Sequence, residues 1–200
     1  LEEFVYVTER LADCEGIDAL EINMSCPNVS GGLDFSTDPR RAAQLIGTLR
    51  RVTSLPIIAK LTPNITDITE IATHVEEAGA DAISAINTIR GMAIDVSTRR
   101  PKLGAIMGGL SGPAIKPVAI AAVYQVAKRV RIPVIGIGGI SSAEDALEFM
   151  IAGATAVQIG TANFVEPRTG ATVIDGLATW CTASDVPAIR DVIGRMEFPS

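Results

Sequence analysis

Asn23-Met24-Ser25-Cys26-Pro27-Asn28 sets a thiol between two carboxamides. A cysteine so placed can act as nucleophile, metal ligand or general base. An Asn side chain offers donors and an acceptor, so two of them can grip a cyclic amide or a carboxylate. The competing reading is a buried structural thiol flanked by turn-forming asparagines. Lys60 lies in Ala59-Lys60-Leu61-Thr62-Pro63-Asn64, an otherwise apolar run in which an ammonium is costly to bury without an anionic partner. It can bind an electron-rich cofactor, form a Schiff base, or be half of a buried ion pair. Asn87-Thr88 forms a further polar segment, and Gly112, Gly138-Gly139 and Gly160-Thr161 supply small residues. Glycines of this kind let a phosphate approach backbone amides, with simple turn chemistry as the alternative.

These residues need a scaffold that brings them to one place. Short β-branched runs at 19–24, 57–61, 82–87, 134–137 and 156–159 alternate with helix-period segments at 39–53, 67–78, 115–130 and 143–152. That alternation is the pattern of a parallel sheet with helical crossovers. Pro56 and Pro133 stand just before their strands, and Gly79 and Gly153 follow their helices as C-cap glycines do. Ala78-Gly79-Ala80 and Ala152-Gly153-Ala154 repeat one helix-to-strand junction. The expected fold is α/β, a TIM (β/α)8 barrel represented by about its last five βα units. A doubly wound sheet is the rival, but Gly136-Ile137-Gly138-Gly139-Ile140-Ser141 breaks the dinucleotide fingerprint at its last position. The chain reads as one domain, 1–200, with the remaining N-terminal strands expected before Leu1. Residues 88–113 form a connection of about 25 residues, long enough to be functional or to carry its own hairpin. In a barrel this segment, Cys26, Lys60, Asn87 and the glycine pairs all emerge at the C-terminal mouth, where active sites sit.

Composition excludes several classes. With 17 basic and 23 acidic residues, net charge −6 and 4% aromatics, the chain lacks the basic face and stacking platforms of a nucleic-acid binder. The three cysteines, Cys14, Cys26 and Cys181, include no CxxC or Cys/His metal spacing, so no metal site is expected and a reducing cytoplasm fits best. No apolar stretch approaches the roughly 20 residues of a membrane helix, and the N-terminus has no signal-peptide pattern. His74 sits at helix spacing, leaving little support for a Ser/His or zinc mechanism. Cys14 and Cys181 read as structural thiols, Trp180 as the anchor of the last helix, and Arg40-Arg41 to Arg50-Arg51 as a solvated helix face.

Several stretches together resemble one family. Glu21-Ile22-Asn23-Met24-Ser25-Cys26-Pro27-Asn28, Lys60-Leu61-Thr62-Pro63-Asn64-Ile65-Thr66-Asp67, Ile86-Asn87-Thr88 and Gly108-Gly109-Leu110-Ser111-Gly112-Pro113-Ala114-Ile115-Lys116-Pro117 are similar to class 1 dihydroorotate dehydrogenases. The likeness continues through Gly136-Ile137-Gly138-Gly139-Ile140 and Gly160-Thr161-Ala162-Asn163. Cysteine rather than serine at the base position resembles class 1. The wording around Gly91-Met92-Ala93-Ile94-Asp95 and Arg99-Arg100-Pro101 resembles the NAD-linked 1B catalytic subunit.

The resemblance implies FMN-dependent oxidation of (S)-dihydroorotate to orotate in pyrimidine (UMP) biosynthesis. By analogy Cys26 removes the C5 proton while hydride passes from C6 to flavin N5. Asn23, Asn28, Asn87 and Thr88 hold the substrate. Asn23, Lys60, Ile86, Gly112, Gly138, Gly139, Gly160 and Thr161 hold FMN, with Lys60 favouring the anionic reduced flavin. The family implies a homodimer within a heterotetramer, whose second subunit carries FAD and a 2Fe–2S cluster and relays electrons to NAD. The chain is then the C-terminal part of a cytoplasmic enzyme. One alternative is the pyrimidine-reducing domain of dihydropyrimidine dehydrogenases, which carries His where this chain has Asn28. Another is a non-catalytic flavin- or phosphate-binding barrel fragment.

Overall fold

β-branched and apolar residues on alternate positions build a five-stranded parallel sheet. A computed structural model describes residues 1–25 and 32–198 of the chain. The sheet consists of β1 (Leu20–Asn23), β2 (Ile57–Leu61), β3 (Ala82–Ala85), β8 (Val134–Ile137) and β9 (Ala156–Gln158), in that spatial order. Four smaller strands, β4 (Ile89–Met92), β5 (Ile94–Asp95), β6 (Arg100–Pro101) and β7 (Met107–Leu110), lie in the connection between β3 and β8. Helix α1 (Glu2–Ala12) precedes the sheet, and α2 (Gly32–Thr37) and α3 (Pro39–Arg50) link β1 to β2. The other crossovers are α4 (Ile68–Glu77), α5 (Lys116–Ala127) and α6 (Ala143–Ala152), while α7 (Ala162–Val165) and α8 (Thr169–Ala183) follow β9. Sequential order across a parallel sheet, each strand followed by a helix, is the arrangement of consecutive units of an α/β barrel.

Strand alternation separates two faces. Leu20, Ile22, Ile57, Ala59, Leu61, Ile83 and Val134 are buried beneath the helices, against Leu45, Ile46 and Leu49 of α3, Ile71 and Val75 of α4, Val123 and Val126 of α5, and Phe149 of α6. The other face carries Glu21 and Asn23 on β1, Lys60 on β2, Ser84 on β3 and Gln158 on β9, with Asn23 level with Lys60 and Lys60 level with Ser84. β1 and β9 are the two edges of the sheet, yet Gln158 Nε2 donates to Glu21 Oε2 at 2.7 Å. The sheet therefore curls until its edge side chains meet across the concave face.

Local chemistry fixes the helix starts. Asp38 accepts from the amides of Arg40 and Arg41 at 2.9 and 3.2 Å, Asp67 accepts from Thr69, and Ser142 forms a capping box with Asp145. The strands at 57–61 and 134–137 and the helix at 143–152 have the expected bounds. Helix α3 stops at Arg50 rather than 53, because the Arg50 guanidinium turns back onto the carbonyls of Thr53 and Leu55 and onto Asp81 Oδ2 at 2.9 Å. That carboxylate oxygen also accepts the Ile57 amide at 2.7 Å. Arg50 is thus a tie between α3 and the starts of β2 and β3, which corrects its reading as part of a solvated face. His74 sits on α4, its Nδ1 bonded to the Glu70 carbonyl, and Trp180 is half-buried on α8.

The segment 88–113 carries a two-tier hairpin. β4 (Ile89–Met92) pairs antiparallel with β7 (Met107–Leu110), and β5 (Ile94–Asp95) with β6 (Arg100–Pro101). Asp95 Oδ1 closes the tip by accepting from the amides of Ser97 and Thr98.

Replacing Arg50 with Ala removes a charged donor from two turn carbonyls and a carboxylate. We expect a loss of about 2 kcal/mol in urea unfolding, against a negligible change for Arg40→Ala, which lacks these contacts; equal values for both would contradict the tie.

Candidate active site

The strand ends gather the carboxamides. Asn23 closes β1, and its Oδ1 accepts from Asn87 Nδ2 at 3.0 Å and from Ser25 Oγ at 3.2 Å. Asn87 Nδ2 also donates to Ser25 Oγ at 2.6 Å, so the three side chains form a closed triangle. Asn87 lies two residues past β3, which ends at Ala85 rather than at 87, but ladder bonding continues there. Ile86 N donates to Ile137 O and Asn87 N to Leu61 O, one bond to each neighbouring strand. Those bonds bury Ile86 and hold Asn87 at the mouth. Thr88 follows, its amide bonded to Asn87 Oδ1 at 2.7 Å.

A second asparagine stitches the hairpin to this floor. Asn64 Nδ2 donates to Thr88 O at 2.9 Å and to Thr62 Oγ1 at 3.0 Å, while Asn64 Oδ1 accepts from Arg90 N at 2.9 Å. Glycine is required where the hairpin returns, since a Cβ on Gly109 would lie 2.2 Å from Thr88 Oγ1. Between floor and hairpin lies a cavity of about 580 Å³ lined by Ser25, Thr62, Asn64, Asn87, Thr88, Arg90 and the hairpin residues 105–109. That size and a mostly apolar wall with a few convergent polar groups suit a small ligand. Ser25, the residue before Cys26, is part of the lining. Cys26 and Asn28 themselves lie outside the described residues.

Lys60 stands level with Asn23 on the concave face and forms an ion pair, its Nζ 3.0 Å from Glu21 Oε1. The paired reading of this lysine is therefore realised, although the pair faces the open side of the sheet, with the two side chains 22% and 26% exposed. Burial would raise the Glu21 carboxyl, but hydrogen bonds from Gln158 and Lys60 and the lysine charge outweigh it and hold the group below its ordinary value. Ser84, fully buried beside them, has a hydroxyl without a hydrogen-bond partner.

The glycine loops converge at the same end of the sheet. Gly139 has φ +74°, and a Cβ there would lie 2.7 Å from the Gly112 carbonyl, so the loop after β8 and the turn before α5 are in contact. Thr161 Oγ1 donates to Ser111 Oγ at 2.8 Å, which brings the β9 loop alongside, and the space beside Gly160 is open. Gly138 instead packs against Ala119 of α5. Two helices clamp this cluster. Lys116, at the start of α5, lies 2.6 Å from both Asp145 and Glu148 of α6. Asp145 Oδ2 also accepts from Ser141 N, Ser141 Oγ and Ser142 N at 2.8, 2.9 and 3.0 Å. Although burial opposes it, these donors hold the Asp145 carboxyl far below its ordinary value of 3.8.

The loops at Gly112, Gly139 and Gly160 are the part of this end of the sheet with room for a phosphate ester against backbone amides. An ammonium paired with Glu21 stands on the concave face, the glycine-lined loops have open space beside Gly160, and polar side chains line the separate cavity under the hairpin. Among the described residues no group of His, Cys, Asp and Glu is arranged to hold a metal, and no helix is long and apolar enough to cross a membrane. Of the residues singled out in the sequence, Asn87 and Thr88 line the cavity and Asn23 is bonded to it, whereas Lys60 and the glycine loops lie outside its lining and Gly138 faces Ala119; Ser25, Asn64, Glu21 and Gln158 were not singled out. Asn64 carried a signal, since it lies in the same short motif as Lys60. Gln158 carried none, because its partner is 137 residues away.

Comparison with known proteins bears on this site. A family model described as dihydroorotate dehydrogenase matches residues 1–180. A Geotalea daltonii protein named dihydroorotate dehydrogenase B (NAD(+)), catalytic subunit, is 51% identical over 199 residues, covering 99% of this chain and 65% of the relative. A Desulforamulus reducens protein of the same name is 53% identical over 194 residues, covering 96% and 64%. The chain thus spans about two thirds of the length of these curated relatives. A crystal structure of a DHODH from Eimeria tenella in complex with ferulenol aligns with a TM-score of 0.80 at 23% identity, covering 97% of this chain and 57% of that one. That likeness supports the α/β-barrel fold.

The clamp makes a pH-dependent prediction. A carboxyl whose folded value is depressed stabilises the fold fully above its unfolded value and loses that contribution as pH falls through the folded one. Asp145→Asn should cost about 2 kcal/mol at pH 7, and the difference from the parent protein should shrink in urea unfolding below pH 4. A constant difference down to pH 2 would contradict the assignment.

Proposed function

The chain belongs to the dihydroorotate dehydrogenase family, and we propose that the protein containing it oxidises (S)-dihydroorotate to orotate with FMN, in pyrimidine (UMP) biosynthesis. The observation that carries this reading is the Asn23–Ser25–Asn87 triangle on the floor of the cavity, with Lys60 beside it on the concave face. Ser25 and Asn87 present polar groups to the cavity, Asn23 braces both, and Lys60 stands level with Asn23 on the adjoining concave face, an arrangement that suits a planar, anionic pyrimidine and a flavin.

In this reading Lys60, Asn23, Ile86, Gly112, Gly138, Gly139, Gly160 and Thr161 hold the FMN. When bound, the flavin supplies the acceptor for the hydride that leaves C6. Asn23, Asn28, Asn87 and Thr88 orient the pyrimidine ring and its carboxylate, so that substrate geometry is set before reaction. Cys26 takes the C5 proton on its sulfur as the C5=C6 double bond forms. The hairpin covers the cavity that Ser25, the residue before Cys26, helps to line. Lys60 places positive charge where electron density accumulates. The relatives' names, NAD(+)-linked catalytic subunits, support a partner subunit through which electrons reach NAD. We assign FAD and a 2Fe–2S cluster to that partner, within a heterotetramer built on a homodimer of the catalytic chain, and place the assembly in the cytoplasm.

The base assignment is tested by Cys26→Ala in the full-length protein. FMN should stay bound, as judged by its visible spectrum, while anaerobic flavin reduction by dihydroorotate slows by about 100-fold or more. A rate equal to that of the parent protein would sink the assignment.

A further inference from the structure

One carboxylate on the concave face has no part in the reading above. Glu21 lies two residues before Asn23 on β1, and each of its oxygens is engaged by one side chain. Oε1 accepts from Lys60 Nζ at 3.0 Å, and Oε2 from Gln158 Nε2 at 2.7 Å on the opposite sheet edge. Ser84, level with Lys60, is within electrostatic reach of the carboxylate but outside hydrogen-bond geometry.

An ionised carboxylate only accepts, whereas an ammonium has three donors. Among the described residues Glu21 is the single hydrogen-bond partner of Lys60, so two N–H groups are left for a ligand. A lysine reaches its target on a flexible four-carbon stem, and the ammonium's position depends on what it is tethered to. Here the tether is itself fixed at its second oxygen. Without Gln158 the carboxylate would be free to turn about its own side chain; with it, both partners of the ion pair are immobilised. The pair is also neutral overall, so the field that reaches a neighbouring ligand is that of an oriented dipole and not of a free cation.

We propose that Glu21 is a positioning residue for the flavin: acting through Lys60, it fixes the ammonium on the concave face and offsets its charge, and so sets how readily the bound flavin is reduced. The inference rests on the proposed placement of Lys60 beside the flavin. It assigns Gln158 the task of orienting the carboxylate, which explains why a side chain from the far edge of the sheet is committed to that oxygen.

The test is the midpoint potential of FMN in the full-length protein, measured by anaerobic equilibration with reference dyes. Glu21→Gln keeps size and an acceptor oxygen but removes the offsetting charge. It should favour reduced flavin by about tenfold at fixed potential, a shift of roughly +30 mV for a two-electron couple. Lys60→Met should shift the potential the other way, and adding Glu21→Gln to it should shift the potential by less than in the parent protein, because the carboxylate's own field remains while the ammonium it positions is gone. An unchanged potential in Glu21→Gln with flavin bound would overturn the proposal and leave the placement of Lys60 standing. A shift of equal size in the Lys60→Met background would overturn it too, because Glu21 would then act by its own field alone and not by positioning Lys60. If Lys60→Met leaves the potential where it was, the placement of Lys60 fails and the proposal falls with it. Should Glu21→Gln not fold, Glu21→Asp draws the carboxylate one methylene away from the ammonium and serves the same cycle, with a smaller positive shift expected and no shift overturning the proposal.

Discussion

Putting a carboxylate inside the curve of a parallel sheet is the constraint on which the rest of this structure depends. Glu21 keeps 26% of its side-chain exposure there, so it is partly desolvated and is stabilised by partners rather than by full solvation. Its two oxygens are satisfied by Lys60 from the adjacent strand and Gln158 from the opposite edge. At this partial exposure such contacts contribute about 1 kcal/mol or less each, and their larger effect is on shape. The sheet must curl far enough for the two edge strands to share one carboxylate, and that curl turns the strand ends toward a common mouth.

The two faces of the sheet divide the work. The helix-facing side is a continuous apolar layer from Leu20 through Val134, closed by α3 to α6. The concave side and the strand ends carry the polar groups: the Asn23–Ser25–Asn87 triangle, the Lys60–Glu21 pair and the glycine loops held by Lys116 and Asp145. Rigid elements hold each of these groups in turn. The carboxamides hang from strand ends, the hairpin is stitched down by Asn64, and the glycine loops run straight into helices joined by ion pairs. Side chains anchored on such elements lower the ordering cost of binding.

Much of the fold could be read from local signals. The strand at 57–61 and the helix at 143–152 have sharp ends because Pro56, Ser142 and Gly153 punctuate them. Helix α3 came out shorter than its apolar periodicity because Arg50, an ordinary helix residue in sequence, spends its guanidinium on turn carbonyls and Asp81. The strand before Asn87 stopped early although its ladder bonds run on. Helix α1 was not anticipated from the sequence. At the site, polar residues directly after strands were legible as mouth residues. Glu21 and Gln158 were not, because a contact between the two edges of a sheet depends on curvature, which has no local periodicity.

The resemblance of the motifs and the family membership point to one chemistry, and among the described residues the strand ends gather carboxamides beside a lysine on the concave face. The most direct measurement is an anaerobic absorbance titration of the full-length, FMN-loaded protein with dihydroorotate, with dihydrouracil as the control. The account predicts stoichiometric bleaching of the flavin by dihydroorotate and none by dihydrouracil. Bleaching by dihydrouracil alone, or by neither compound, would contradict it.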